Sequence, residues 1–167
     1  MAEGVTRSIR AATHADLSRI LDIYNHEVLV STATYDTVPR TQADHRKWFA
    51  IHGAEHPVLV AESAGAVIGW ASLSPWSDRA AYSRTAEVSV YVSHEHRRRG
   101  IGRALLRALI SAGRERGHHS LLARISSDNE ASVFLHAECG FRIVGTLHEV
   151  GTKFGRLLDV TIMEILI

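Results

Sequence analysis

The chain has 167 residues, enough for one domain with a substantial hydrophobic core. Hydrophobic residues make up 46% and charged residues 22%, the balance of a globular domain rather than a disordered or membrane-spanning chain. The net charge of +1 lacks the basic excess of a dedicated nucleic-acid binder, and one cysteine, Cys139, allows no intrachain disulfide and no cysteine-based zinc cluster.

MAEGVTRSIR at the start has no apolar signal core, and no run approaches membrane-spanning length. A cytoplasmic protein without membrane contact is expected. In chain order, residues 8–11 read as a short strand. A helix starts after Thr13, with Asp16 complementing its amino end. Leu17, Ile20, Leu21, Tyr24 and Val28 recur at helical spacing. Thr41 opens a second helix with Trp48, Phe49 and Ile51 on its apolar side. Residues 57–62 and 66–74 read as strands around a hairpin turn at 63–65. A loop over 75–83 leads to a strand at 85–92. Residues 101–116 form a helix ending at Gly117, 119–125 a strand, and 129–139 a helix ending at Gly140. Strands at 141–150 and 157–165 close the chain. The order βααβββαβαββ predicts a single α+β domain over 1–167, with a mixed sheet and helices on both faces.

The segment HEHRRRGIGRALL, residues 94–106, sits between a strand and a helix. Glycines allow close backbone approach, and the free N–H groups and dipole of a helix start favour an anion. The spacing is not that of a triphosphate loop, which needs G-x-x-x-x-G-K-[ST]. The dinucleotide pattern G-x-G-x-x-G is incomplete, because Leu105 stands where the third glycine belongs. By itself the segment fits a ligand phosphate or a tight turn with solvated arginines.

Arg97-Arg98-Arg99-Gly100-Ile101-Gly102 resembles the Arg/Gln-x-x-Gly-x-Gly/Ala signature of the GNAT superfamily of acetyl-coenzyme-A-dependent N-acetyltransferases. The segment N-E-A-S-V-F-L-H-A-E-C-G-F resembles that family's N-x-x-A…Y-x-x-x-G-F helix, with its small residues one place off the commonest spacing. Further stretches are similar to the phosphinothricin and methionine sulfone/sulfoximine acetyltransferases: STATYDTVP, PWSDRAAYSRTAE, SVYVSHEHRRRGIG and GTKFGRLLDV. The resemblance covers nearly the whole chain. It implies the GNAT fold, whose central sheet splays in the middle, acetyl-CoA as co-substrate, a small-molecule amine as acceptor, and a homodimer.

Acetyl transfer to an amine requires a held coenzyme, a deprotonated amine, a stabilised oxyanion and a leaving thiolate. Glu87 is the candidate base. Period-two alternation in TAEVSVYV puts Glu87, Ser89 and Tyr91 on one strand face. A carboxylate in a strand interior is costly unless paired or solvated, which suggests an internal cleft. By spacing alone a salt-bridged or edge-exposed Glu is the other reading, and the resemblance places a catalytic Glu there. It implies that the loop from Arg97, Arg98 and Arg99 through Gly100, Ile101, Gly102 and Arg103 holds the pyrophosphate. Asn129 and Ser132 would assist at the next helix start, and the backbone of Val90, Tyr91 and Val92 would hold the pantetheine arm. His136 stands where many of these enzymes carry a tyrosine that protonates the thiolate; a helix-packing histidine is the other reading. Tyr35, Arg79 and Tyr82 match acceptor-side positions. Lys153 reads as an exposed turn residue or an anion contact. Asn129 fits a plain helix cap equally well. His94 and His96 lack a third metal ligand, no metal is expected, and Cys139 reads as helix packing around Phe134, Leu135 and Phe141. Acylation of a peptide or protein amine, and a non-catalytic acetyl-CoA sensor, are the competing functions.

Overall fold

The structure, a computed structural model, describes residues 7–167. The strands are β1 (Arg7–Ala11), β2 (Val58–Ser63), β3 (Ala66–Pro75), β4 (Thr85–Val92), β5 (Ser120–Ser126), β6 (Arg142–Lys153) and β7 (Arg156–Leu166). The helices are α1 (Leu17–Val30), α2 (Gln42–Ala50), α3 (Ile101–Glu115) and α4 (Glu130–Glu138). One sheet runs β1-β2-β3-β4-β5-β7-β6, antiparallel throughout except for the β4–β5 pair. The expected α+β mixed sheet is present.

Local chemistry explains most boundaries. The Asp16 carboxylate accepts the Thr13 N–H at 2.7 Å and is gripped by Arg10 Nη1 and Nη2 at 2.8 and 2.9 Å. Arg10 thereby holds the Asp16 carboxyl down at about 2. Thr41 Oγ1 accepts the Asp44 N–H at the start of α2. The β2–β3 turn uses two left-handed residues, Ala64 and Gly65, and Gly117 and Gly140 end α3 and α4 at positive φ.

One expectation about the chain's last hairpin needs correction. β6 does not stop at 150. It passes an irregularity around Glu149, at φ 54°, and continues to Lys153 before a tight turn at Phe154 and Gly155. A bulge adds a residue without ending the ladder, so alternation breaks while the strand persists. Phe134 and Ile51 also differ from the expected packing, since both are exposed.

The two faces carry separate cores. α3 supplies Ile101, Leu105, Leu106 and Leu109 to one, with Leu73, Val88, Leu121 and Met163 from the sheet. α1 covers the other with Ile20, Ile23, Tyr24 and Val28 against Val58, Val60 and Trp70. The alternation of β4 is what divides them: Val88 joins the α3 core, while Tyr91 stacks on Trp70 at 4.8 Å on the α1 side.

Candidate active site

The parallel ladder between β4 and β5 holds only three pairs, Thr85↔Ser120, Ala86↔Leu121 and Glu87↔Leu122. β4 continues five residues further, paired only to β3, and β5 continues paired only to β7. The sheet therefore splits at its centre. Backbone groups of residues 88–92 that point away from β3 have no strand partner there. Val90, Tyr91 and Val92 line this free edge. The Tyr91 side chain is committed elsewhere: besides its stack on Trp70, its hydroxyl donates to Ala33 O at 3.3 Å.

Glu87 stands at the mouth of the split. Its carboxylate is paired, one of the two ways in which a strand-interior charge is tolerated. Arg124 Nε and Nη2 donate to its Oε1 and Oε2 at 2.7 and 2.6 Å, and the guanidinium lies 5.6 Å from the Trp76 ring centre. Burial raises the usual cost of a charge, and the fork of a guanidinium offsets it. Sequence reasoning missed Arg124. The signal was available, because Arg124 interrupts an apolar strand, SLLARIS, as Glu87 interrupts its own.

The loop after β4 forms a turn at His94–His96 and then reaches Gly100, whose φ of 78° only glycine adopts without strain. Arg98 is also left-handed, at φ 60°. The first helical bond of α3 runs from Ala104 N–H to Gly100 O, so the amides of Ile101, Gly102 and Arg103 have no intrahelical acceptor. A turn with three free amides of this kind can receive an anion. Its arginines divide by role. Arg97 turns inward: Nε donates to Val92 O, and Nη2 pairs with the buried Glu27 carboxylate of α1. Arg103 pairs with Glu138 at 2.6 Å, tying α3 to α4. The Arg98 side chain is exposed and makes no ion pair among the described residues. Gly102 is small for packing: a Cβ there would lie 3.1 Å from Leu135 Cδ2.

In α4, Asn129 Oδ1 accepts the Ser132 N–H at 3.2 Å, so its carbonyl serves as the helix cap. His136 is 4% exposed, edge-on to Phe141, and its Nδ1–H donates to Ser132 O at 2.8 Å. Burial lowers its pKa, against the raising effect of that hydrogen bond. A neutral ring fixed in this tautomer accepts at Nε2 and has no proton to give a thiolate. The helix-packing reading of His136 fits this geometry better than the acid role.

The acceptor-side residues do not converge within the chain. Arg79 and Tyr82 lie exposed on the β3–β4 loop, without side-chain hydrogen bonds or ion pairs among the described residues. Tyr35 is held elsewhere. Its hydroxyl donates to Asp159 O at 2.8 Å and Ser126 Oγ at 3.1 Å, and its ring covers Gly151. Lys153 is not an exposed turn residue. It is 3% exposed, and its ammonium donates to Thr34 O at 2.7 Å. Burial depresses its pKa. The loop from Ser31 to Arg40 is thus pinned from below by Tyr91, Lys153 and Tyr24, whose hydroxyl donates to Asp36 at 2.6 Å. His26 stacks on His94 at 4.5 Å, and among the described residues no three His, Cys, Asp or Glu side chains converge as metal ligands.

Residues 19–141 match the acetyltransferase (GNAT) family. The chain is 43% identical over 160 residues to the L-amino acid N-acyltransferase MnaT of Escherichia coli, covering 95% of this chain and 92% of that protein. It is 42% identical to the L-methionine sulfoximine/L-methionine sulfone acetyltransferase of Pseudomonas paraeruginosa, covering 96% and 95%. Its fold superposes with a TM-score of 0.93 on a GNAT phosphinothricin acetyltransferase from Sinorhizobium meliloti solved with AcCoA, at 36% identity over 97% and 89% of the two chains.

Proposed function

The chain belongs to the GNAT acetyltransferase family, and on that premise we propose that it moves the acetyl group of acetyl-CoA onto the α-amine of a small amino acid or a close analogue. The relatives named above act on L-amino acids, methionine sulfoximine and sulfone, or phosphinothricin, and the chain aligns with them over nearly its full length. The observation that carries the reading is the split of β4 from β5 directly after the Glu87–Leu122 pair. It leaves a free backbone edge beside a carboxylate and in line with an anion-binding turn.

These residues fit the coenzyme. The edge of Val90–Val92 suits an amide-rich arm, and the Arg98–Arg103 turn suits a pyrophosphate, with Arg98 supplying charge and Asn129 Nδ2 a further donor. Acetyl-CoA bound there supplies an activated acetyl thioester. The acceptor amine, relieved of a proton by Glu87 directly or through water, forms a bond to the acetyl carbon as the carbon–sulfur bond breaks. The proton passes to solvent and the sulfur leaves as the thiol. A backbone N–H on the free edge of β4 polarises the thioester carbonyl. Ser132 and His136 shape the thiol end of the cleft. The 167 residues act as one catalytic domain.

The exposed apolar side chains of the β6–β7 hairpin, Ile143, Val144, Leu147, Val150, Phe154 and Leu157, support a homodimer, as do the open Arg79 and Tyr82. Sedimentation at micromolar concentration checks this. One free thiol, Cys139, suits a cytoplasmic setting, and no described helix is long and apolar enough to cross a membrane.

Thiol release measured against amino acids, their sulfone, sulfoximine and phosphinate analogues, and short peptides tests the activity. Amino acids or their analogues are expected to release thiol. Release with peptides alone would reassign the acceptor, and binding of acetyl-CoA without release would make the chain a sensor. In Glu87→Ala, kcat is expected to fall about 100-fold or more with the acetyl-CoA Kd nearly unchanged. Wild-type turnover in that variant would remove Glu87 from the base role.

A further inference from the structure

Resting on that reading, we propose that Glu87 and Arg124 together recognise a zwitterion: Glu87 receives the acceptor's α-amine and Arg124 its α-carboxylate, so the enzyme selects free α-amino acids over their amides and over peptides. Glu87 is the last residue of β4 paired to β5, opposite Leu122. Two residues on, Arg124 shares the face of Leu122 and reaches back to Glu87. Its Nε–H and one Nη2–H are used by the carboxylate. Three of the five guanidinium N–H groups remain without a hydrogen-bond partner among the described residues. The Glu87 side chain is 18% exposed and that of Arg124 56%, so the pair opens outward with the arginine foremost. The guanidinium carbon lies 5.6 Å from the Trp76 ring centre, a cation–π contact that steadies the arginine.

An α-amino acid carries its ammonium and carboxylate on one carbon. The two opposite charges it presents are as close together as the two it meets. Set against Glu87 and Arg124, each of the four charges has opposite-signed neighbours, and the carboxylate gains the planar donor edge that suits it. An amino-acid amide or a peptide N-terminus brings the ammonium without the carboxylate. It places a cation beside Arg124 and offers the guanidinium no second anion, and rejection follows from that uncompensated charge. Arg79 and Tyr82, on their open loop, are left to the side chain of the acceptor.

The experiment compares L-methionine sulfone with its α-amide as acceptors for the full-length enzyme, by thiol release. The wild type is expected to favour the free acid by about tenfold or more in kcat/KM, equivalent to about 1.4 kcal/mol. In Arg124→Gln the KM of the acid rises about tenfold while the KM of the amide stays the same or falls, and Arg124→Lys lies between. Equal kcat/KM for acid and amide in the wild type overturns the proposal without any variant. So does a change in Arg124→Gln that affects acid and amide alike, the mark of a purely structural arginine. Release from neither acceptor or any amino acid would instead overturn the proposed activity itself, and the zwitterion site with it.

Discussion

At Gly151 an added Cβ would overlap Cε2 of Tyr35, so the ring and the glycine are matched by contact alone. The position tolerates no side chain unless the ring leaves. Tyr35 also anchors the loop that follows α1, through Asp159 O and Ser126 Oγ. Gly151→Ala is therefore expected to cost roughly 1–3 kcal/mol of stability, as overpacking does. On the proposed reading, in which this loop borders the acceptor, it should also raise the acceptor KM while leaving the acetyl-CoA Kd within about twofold. Chemical denaturation and steady-state kinetics read the two effects. A variant with unchanged midpoint and unchanged KM would show that the ring moves away freely. Lys153 belongs to the same set of contacts. Its GTKFGR context reads as a turn, yet its ammonium is drawn inward by a carbonyl, which no local pattern signals.

Between elements, the junction of α1 with the anion-binding turn depends on one carboxylate. Glu27 is 4% exposed on its side chain, pairs with Arg97 from the turn, and accepts a hydrogen bond from Ser31 Oγ at 2.7 Å. Ser31 Oγ in turn accepts the Ala33 N–H at 3.1 Å, where the acceptor-side loop begins. Thus a single side chain on α1 ties the Gly100 turn to the loop that follows α1. Glu27→Gln keeps the shape and removes the charge. Arg97 is half exposed and can rehydrate, so the expected loss is about 1–2 kcal/mol, below that of a fully buried pair. With Arg97 released, the turn loosens and the acetyl-CoA Kd is expected to rise about fivefold by calorimetry. An unchanged Kd would mean that Gly100 and the helix start hold the turn unaided. α3 and α4 show the same logic in apolar form, with Gly102 fitted against Leu135.

Across the whole molecule, several histidines are buried where their charged forms are unwelcome. His45 is 2% exposed, stacked on Trp48 at 4.7 Å, and neither ring nitrogen has a hydrogen-bond partner among the described residues. Burial pushes its pKa down to about 4. Burial also lowers those of His52, His56 and His136. A histidine with a lowered folded pKa binds fewer protons folded than unfolded. Its stabilisation is complete above the unfolded value of 6.5 and is lost as pH falls toward 4. The urea midpoint should therefore drop steadily over that window, with His45 contributing at most roughly 3 kcal/mol. His45→Phe should flatten the drop, and an identical slope in that variant would move the effect to other groups. Asp16 acts lower on the scale: its contribution is present above the ordinary carboxylate value and fades only as pH approaches about 2.

The sequence by itself determined the element order, the helical turn after Thr13, the helix start at Thr41, the glycine stops and the two faces of β4. Each follows from spacing, capping or steric freedom within a few residues. It also marked Glu87 and the Gly100 turn, because a charge inside a strand and glycines before a helix are locally anomalous. What each side chain then meets was decided only by the tertiary structure. Arg97 turns from ligand arginine to anchor because Glu27 of α1 lies 70 residues away in the chain and adjacent in space. Glu87 acquires Arg124 because two parallel strands pair for three residues before they part. Lys153 is buried, and Tyr35 held, by contacts spanning more than 90 residues. Local pattern encodes which face a residue takes. The partner across the gap depends on register and strand order, and those are set by the packing of the whole sheet.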